Sequence, residues 1–341
     1  MTIYDIAKIA HVSPATVSRV LTKKSCVSDR KREAVENIIR QYRFKPNAAA
    51  QSLSLGSRII GLMIADIRNS YYASMAIECE KAAQKLGYTV LLCNLSGDQA
   101  YEHDHVDMLY AQRVEAIIQL GRATDDVVSN PAYAEHVNRI SRTIPFITSG
   151  KLDGVDHFSV RINHAQAMMK VMDYLVSIGH REIAFVGGYN KVLPTYEKWN
   201  QYLLSLGTHN LEFRNEFIKE GEYSSEEGYS FLEQLLEAKT LPTAVIAIND
   251  ECALGVILAA LDHGLSIPRD ISVVGFDNGF HATLIRPSLT TVDYNYPLFA
   301  GTLVETAVQL AEGKKPPREI LIEPQLVIRE SCCRPRQAKP L

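Results

Sequence analysis

The chain predicts a small all-α helix-turn-helix headpiece followed by an α/β core of two Rossmann-like lobes. Three observations carry this. Two short helical patterns joined by a three-residue turn open the sequence. Beyond residue 58, apolar strand-like runs alternate with amphipathic helices in two successive series. The charge is also divided. Residues 1–58 hold eleven Lys and Arg against four acids, a formal +7 in a chain of net −3, so the remainder carries −10. A basic block on an acidic protein suits phosphate binding.

The first helix is expected from residues 2–10. Ile3, Ile6, Ala7 and Ala10 fall at i, i+3, i+4 and i+7, one apolar stripe. Thr2 is a candidate N-cap. His11 and Val12 turn the chain. Ser13 is a second N-cap candidate, and Pro14 stands at the first helical position, where its missing N–H costs nothing. The second helix, to about Leu21, buries Val17, Val20 and Leu21. It leaves Ala15, Thr16, Ser18 and Arg19 outward, small or polar, so another molecule can approach closely. Such a second helix fits a DNA major groove. Any small helical bundle shows two such helices, so the pair alone decides little, and the rest of the basic segment adds the weight. A third helix, capped by Asp29, runs to about Tyr42 with Ala34, Val35, Ile38 and Ile39 inward. A short small-residue helix, residues 44–53, then follows a proline.

The segment TIYDIAKIAHVSPATVSRVLTKKSCVSDRKREAVENIIRQYRFKPNAAAQSL resembles the headpiece of the lactose-repressor/galactose-repressor family of bacterial transcription regulators. The resemblance implies that the first three helices bind the major groove. It also implies that a hinge helix forms on DNA and puts Leu53 into the minor groove, where an apolar wedge kinks the duplex. The expected DNA-facing residues are Thr2, Ser13, Pro14, Ala15, Thr16, Ser18, Arg19, Asn47, Ala50 and Leu53.

Length allows a headpiece plus about 280 further residues, one large or two medium domains. Hydrophobic content of 46% is ordinary for a globular protein. With no run of about 18 apolar residues and no apolar leader, a cytoplasmic protein with no membrane partner is expected. Six cysteines (26, 79, 93, 252, 332, 333) have no metal spacing and read as reduced thiols. His103 and His105, at i and i+2 on a helix, point apart, so a solvated face is expected there, with no metal and no cofactor.

Residues 55–57 are a linker. In the core, strands are expected at residues 59–65, 89–93, 116–120 and 145–149, with helices at 72–86, 101–112 and 132–139 between them. A second series begins with a strand at 158–161. It continues through helix 164–178, strand 183–186, a weak helix near 196–206, strand 213–219, helix 225–237, strand 244–248, helix 252–263 and strand 272–276. Alternation of this kind implies parallel sheets covered on both faces, with ligands beyond the carboxyl ends of the strands. Residues 289–330, with a helix at about 297–311, are expected to cross back between the lobes. The expected boundaries are 1–44 for the headpiece, 45–58 for the hinge and 59–331 for the core. Lobe one takes about 59–156 and 292–323, lobe two about 157–291 and 324–331, and residues 332–341 form a loose tail. This core also resembles the family's regulatory core, which is similar to periplasmic sugar-binding proteins. Segments such as YLVSIGHREIAFVGG and VIAINDECALGVILAALDHGLSIPRDISVVGFDN carry the likeness.

The resemblance points to effector-binding residues. Asn69, Tyr71 and Tyr72 follow the first core strand and match an Asn-Pro-aromatic-aromatic pattern in which Ser70 replaces the proline. An aromatic plate with amides and carboxylates suits a sugar ring, although a tyrosine there also packs under a helix. Asn249 and Asp250 open the helix after strand 244–248, where Asp250 is either a ligand group or a cap. The family's effector-binding Asp falls on Asp277, and Tyr223 is a further aromatic wall. A family Arg becomes Lys198, which donates without a planar fork. The usual Asp-Arg after strand 145–149 becomes Gly150-Lys151, which loses a carboxylate. Segment 189–199 is unlike the family's.

Arg68, Lys151 and Lys198 keep an anionic effector, a phosphorylated sugar or nucleobase, as the alternative. Asp250 and Asp277 would repel phosphate, which puts a neutral sugar first. Catalytic motifs (G-x-S-x-G, H-E-x-x-H, a phosphate loop, G-x-G-x-x-G) are missing from the sequence, so no enzyme is expected. The expected protein is a homodimeric repressor binding double-stranded operator DNA, responsive to a small effector. A sugar-binding protein without regulatory DNA contact is the competing reading, and the basic headpiece argues against it.

Overall fold

The computed structural model describes residues 1–21, 27–42, 44, 57–96 and 100–336. The chain divides into two compact units, Met1–Arg58 and Ile59–Leu341.

In the first unit α1 spans Ile3–Ile9. The Thr2 hydroxyl accepts the Asp5 N–H at 3.3 Å while the Asp5 carboxylate accepts the Thr2 N–H at 2.7 Å, a reciprocal capping box. Helix α2 spans Pro14–Leu21, and Ser13 Oγ accepts the Thr16 N–H at 3.2 Å. Helix α3 spans Asp29–Gln41. Its cap position is Ser28 rather than the expected Asp29, which is already helical and favours the helix only through its charge in the first turn. The three helices bury Ile6, Ala7, Val17, Val20, Val27 and Val35 in one small core. The hinge assignments Asn47, Ala50 and Leu53 lie outside the described residues.

The second unit holds two six-stranded sheets. The first contains β1 (Ile59–Ile64), β2 (Thr89–Asn94), β3 (Ala116–Leu120), β4 (Phe146–Thr148), β5 (Phe158–Ile162) and β11 (Glu319–Ile322), ordered β11-β5-β4-β3-β1-β2 and parallel throughout. The second contains β6 (Ile183–Val186), β7 (Ile218–Lys219), β8 (Ala244–Ala247), β9 (Ser272–Phe276), β10 (Thr290–Asp293) and β12 (Gln325–Val327), ordered β12-β10-β9-β8-β6-β7. Among the described residues only the β10–β12 strand pair is antiparallel. Central strands are apolar on both faces because helices cover both. In β1, Ile60, Leu62 and Ile64 enter one core and Met63 the other. Gly61 in the same strand lets Leu109 lie on the sheet, where a Cβ would stand 2.7 Å from its side chain.

Three segments join the lobes: Asn163 after β5, Tyr294–Asn295 after β10, and Glu323–Pro324 between β11 and β12. Strand β5 corrects the expected lobe boundary. It pairs with β4 (Ile147↔Phe158) and β11 (Glu319↔Ser159), so lobe one extends to residue 162 and lobe two starts with the helix His164–Ser177. Strand–helix alternation cannot tell which of two similar sheets receives a strand. The helix Tyr296–Ala311 returns to lobe one, packing on the helix Ser70–Lys85 and on β3.

Three further expectations change. The weak helix near 196–206 is a full helix, Leu193–Thr208. The strand expected at 213–219 is a 3-10 turn, Asn215–Phe217, and the two residues of β7. The described part of the tail is docked. The His180 ring donates to the Cys333 carbonyl at 2.9 Å, Cys333 N–H donates to Ser272 Oγ at 3.1 Å, and Arg336 pairs with Asp270 at 2.8 Å. A polar composition hides that docking because its partners are far away in sequence. Among the described residues, no helix is long and apolar enough to cross a membrane.

Candidate functional site

The headpiece presents one candidate surface. On α2, Val17 and Val20 face inward, Ser13, Pro14, Ala15 and Arg19 are exposed, and Thr16 and Ser18 are partly buried. Ser13 and Thr16 hydroxyls lie 2.9 Å apart. Thr2 is exposed, with its hydroxyl and N–H both held by Asp5. This exposed helix start is the candidate DNA-facing surface, since groove-binding helices contact base edges through their N-terminal residues.

The second site follows from sheet topology. In an open parallel sheet, the strand ends flanking a reversal of strand order leave a crevice. The reversals fall between β1 and β3 in lobe one and between β6 and β8 in lobe two. The loops after these strands face one another across a cleft of about 850 Å³. Asn69, Tyr71 and Tyr72 enter after β1, and Arg122, Asp125 and Asp126 after β3. Tyr189 enters after β6, Asn249 after β8, and Asp277 after β9.

Each group has a local reason for its position. The Asn69 side chain caps the helix Ser70–Lys85 by accepting the Tyr71 N–H at 2.9 Å. That fixes where the two tyrosines leave the backbone, with their rings edge to face at 4.9 Å. Tyr72 lies over Gly121, where a Cβ would stand 2.4 Å from the phenol oxygen. Asn249 caps the helix Asp250–Asp262 through the Cys252 N–H at 2.8 Å and donates to the Tyr223 carbonyl at 2.9 Å. Tyr223 shares a 2.8 Å hydrogen bond with Thr195. Asp277 stands at φ 102°, a region L-residues rarely adopt and which accumulates at functional sites.

Lys198 is buried on the helix Leu193–Thr208. Its ammonium lies 4.5 Å from the Phe276 ring centroid and 3.4 Å from the Ile248 carbonyl oxygen. Burial pushes it down to about 8 and pushes the Asp277 carboxyl up to about 7, and each charge draws the other back toward its ionised form. Burial also lifts Asp125 to about 7. It holds the Tyr71, Tyr72 and Tyr294 phenols neutral and His164 well below the usual histidine range.

Two expected residues do not join the cleft. Lys151 donates its N–H to the Thr124 carbonyl at 2.7 Å, and its ammonium turns away to Asp153 at 3.2 Å. Asp250 neither lines the cleft nor caps its helix. Its carboxylate accepts the Gly279 N–H at 2.7 Å and the Thr291 hydroxyl at 2.5 Å. Arg68 also stays out, exposed and paired with Asp66 at 2.6 Å. Conversely, Arg122, Asp125, Tyr189, Thr195, His164 and Tyr294 line the cleft although no sequence motif marks them. The first four sit on loop or helix-start positions beyond a strand. His164 opens the helix that follows the Asn163 crossing and Tyr294 sits on the crossing after β10, their rings 5.6 Å apart. The signal available for the first four is position after a strand, and only the location of the reversals ranks such positions.

His103 turns to Tyr133 and His136 while the His105 ring contacts the Tyr101 carbonyl, so the pair does point apart. Among the described residues no group of three potential metal ligands is brought together.

Comparison with known proteins gives a consistent result. Residues 2–47 match the lacI family of bacterial regulatory proteins, and residues 172–332 match a periplasmic binding protein-like domain. The chain is 34% identical over 297 residues to catabolite control protein A of Priestia megaterium, covering 86% of this chain and 87% of that protein. It is 30% identical over 337 residues to the HTH-type transcriptional repressor PurR of Actinobacillus pleuropneumoniae serotype 3, covering 97% and 98%. Among solved structures, the lac repressor dimer bound to operator and the anti-inducer ONPF superposes with a TM-score of 0.87 at 26% identity, covering 98% of this chain and 99% of that one.

Proposed function

Because this chain belongs to the lacI family of bacterial regulatory proteins and is a transcriptional repressor of that family, we propose that it holds operator DNA as a homodimer and that a small neutral sugar bound between its core lobes controls that hold. The headpiece reading rests on the exposed start of α2 beside a +7 segment. Its base contacts are assigned to Pro14, Ala15 and Arg19, with Thr2, Ser13, Thr16 and Ser18 placing the helix on the backbone. Hinge residues Asn47, Ala50 and Leu53 complete the contact in the minor groove.

The effector reading is carried by one observation. Tyr71, Tyr72, Tyr223 and Tyr294 wall a cleft whose polar groups include Asn69, Asn249, Lys198 and Asp277. Tyrosine faces suit the C–H faces of a sugar ring, while amides and carboxylates suit its hydroxyl rim. A phosphate or other anion would meet the acids Asp125, Asp126, Asp277 and Glu222 in the same cleft, which outnumber the cations Arg122, Lys191 and Lys198. Effector binding shifts the lobes and with them the core faces where the hinges begin. One hinge alone is too short for a stable isolated helix, so helix formation by two paired hinges on DNA responds to that separation.

Two measurements test the proposal. A mobility-shift titration with DNA upstream of the protein's own gene is expected to give a specific, salt-sensitive complex. Thermal shift against glucose, galactose, maltose, cellobiose, glucose 6-phosphate and hypoxanthine is expected to raise Tm with a neutral sugar. A rise with the phosphate or the base alone replaces the sugar reading.

A further inference from the structure

The loop after β3 carries into the cleft a carboxylate that no donor among the described residues reaches. Asp125 follows the 3-10 turn Arg122–Thr124, and its N–H donates to the Arg122 carbonyl at 2.7 Å. Its carboxylate lines the cleft, close enough to Tyr71, Tyr72 and Tyr223 to raise their phenols. Among the described residues neither carboxylate oxygen of Asp125 receives a hydrogen bond. Arg161, the cation it feels most, is committed to Glu197 and Glu319. Its side chain is only partly buried and borders the cleft, so the hydroxyl of a bound molecule can donate to it in place of solvent.

Gly150 explains why the loop stands there. A Cβ at Gly150 would lie 1.9 Å from the Thr124 carbonyl oxygen and 2.7 Å from Asp125 Oδ1. Any side chain at residue 150 would take the space Asp125 occupies. The Lys151 N–H, donating to that same Thr124 carbonyl at 2.7 Å, ties the two loops together. Gly150 therefore leaves open the space into which the neighbouring loop delivers the Asp125 carboxylate.

The same loop crosses the cleft. The Asp125 carbonyl accepts the Leu193 N–H at 2.5 Å, and the Val127 N–H donates to the Lys191 carbonyl at 2.9 Å. Asp126 and Val192 form an antiparallel bridge. Asp125 thus sits where lobe one is stitched to lobe two, facing the lobe that carries Asp277.

We infer that Asp125 is an effector-binding and specificity-determining residue, the hydroxyl acceptor that lobe one contributes opposite Asp277 of lobe two, seated in the space that Gly150 leaves open. This rests on the cleft being the sugar site. The ligand class it selects is a neutral polyhydroxylated molecule with hydroxyls at both ends, one for each carboxylate.

The test uses the full chain and the probes glucose, galactose, maltose and cellobiose, with the monodeoxy analogues of whichever binds. Calorimetric Kd values are measured for wild type, Asp125→Asn and Asp277→Asn. The expected result is a rise in Kd of about tenfold to a hundredfold for Asp125→Asn, with operator affinity in the absence of sugar unchanged and Tm in the absence of sugar not lowered. One deoxy analogue is expected to lose affinity in wild type and to lose nothing further in Asp125→Asn, which locates the hydroxyl read by Asp125. Binding that depends on Asp277 but not on Asp125 overturns the inference while leaving the sugar site intact. Deoxy penalties equal in wild type and Asp125→Asn also overturn it, since a merely structural loss gives that pattern. Failure of all four sugars to bind overturns the sugar site, and this role falls with it.

Discussion

Asp250 is tied to Thr291 by a 2.5 Å hydrogen bond from the threonine hydroxyl, and its second oxygen accepts the Gly279 N–H at 2.7 Å. One carboxylate at the first turn of a helix thus clamps β10 and the turn that carries Asp277. Burial raises Asp250 well above the usual carboxylate range, and the neighbouring Asp277 adds to this. Asp250→Ala leaves a part-buried N–H and a buried hydroxyl without their acceptor, at a cost of about 2–4 kcal/mol. Urea denaturation without any ligand measures it. An unchanged midpoint would show that the clamp holds nothing.

Asp277 is expected to act on ligand rather than on stability. Its carboxylate receives no hydrogen bond among the described residues, and its main chain is fixed separately, the Asp277 N–H donating to the Val292 carbonyl at 3.0 Å. Asp277→Asn should raise the Kd of the best-binding sugar by about tenfold or more, in line with the loss of a charged acceptor. Operator affinity in the absence of sugar should stay at the wild-type value. Retention of wild-type sugar affinity would remove Asp277 from the site.

Arg19 lies exposed one turn beyond Ala15 on α2. Arg19→Ala should weaken operator binding by about 1–3 kcal/mol if it makes a bidentate base contact, and relax preference at one base pair. A uniform loss across sequences, with a shallower salt dependence, would make it a phosphate contact instead. Equal affinity at matched salt would deny it either role.

Glu102 holds the backbone of the loop after β3. It is buried, accepts the Ala123 N–H at 3.2 Å and lies 3.5 Å from the Gln119 amide. Burial lifts its carboxyl from 4.5 to about 7. Between those values the folded chain binds a proton that the unfolded chain has released, so this group's contribution to stability falls as pH rises through the window. Glu102→Gln removes that slope. Relative to wild type, the variant should gain about 1–3 kcal/mol on going from about pH 5 to about pH 8. Parallel stability curves for the two proteins would contradict the burial cost assigned to Glu102.

Local chemistry made much of this protein legible from its residues. Apolar periodicity, Thr2, Ser13 and Pro14 defined α1 and α2, because capping and amphipathic packing act over a few residues. Alternating buried strands and helices gave parallel sheets in two series, and Asn69, Tyr71, Tyr72, Asn249 and Asp277 follow strands at places where such sheets bind ligands. What tertiary structure decided is everything that depends on which strand lies beside which. Strand β5 went to the first sheet because Phe158 pairs with Ile147 there. The positions of Arg122 and Asp125 became meaningful only once strand order reversed between β1 and β3. His164 and Tyr294 reached the cleft because two crossings run side by side. Asp250 and Lys151 left it because Thr291 and Asp153 supplied nearer partners. Residue type determines what a side chain can donate or accept. The packing of residues far apart along the chain determines which partner it meets.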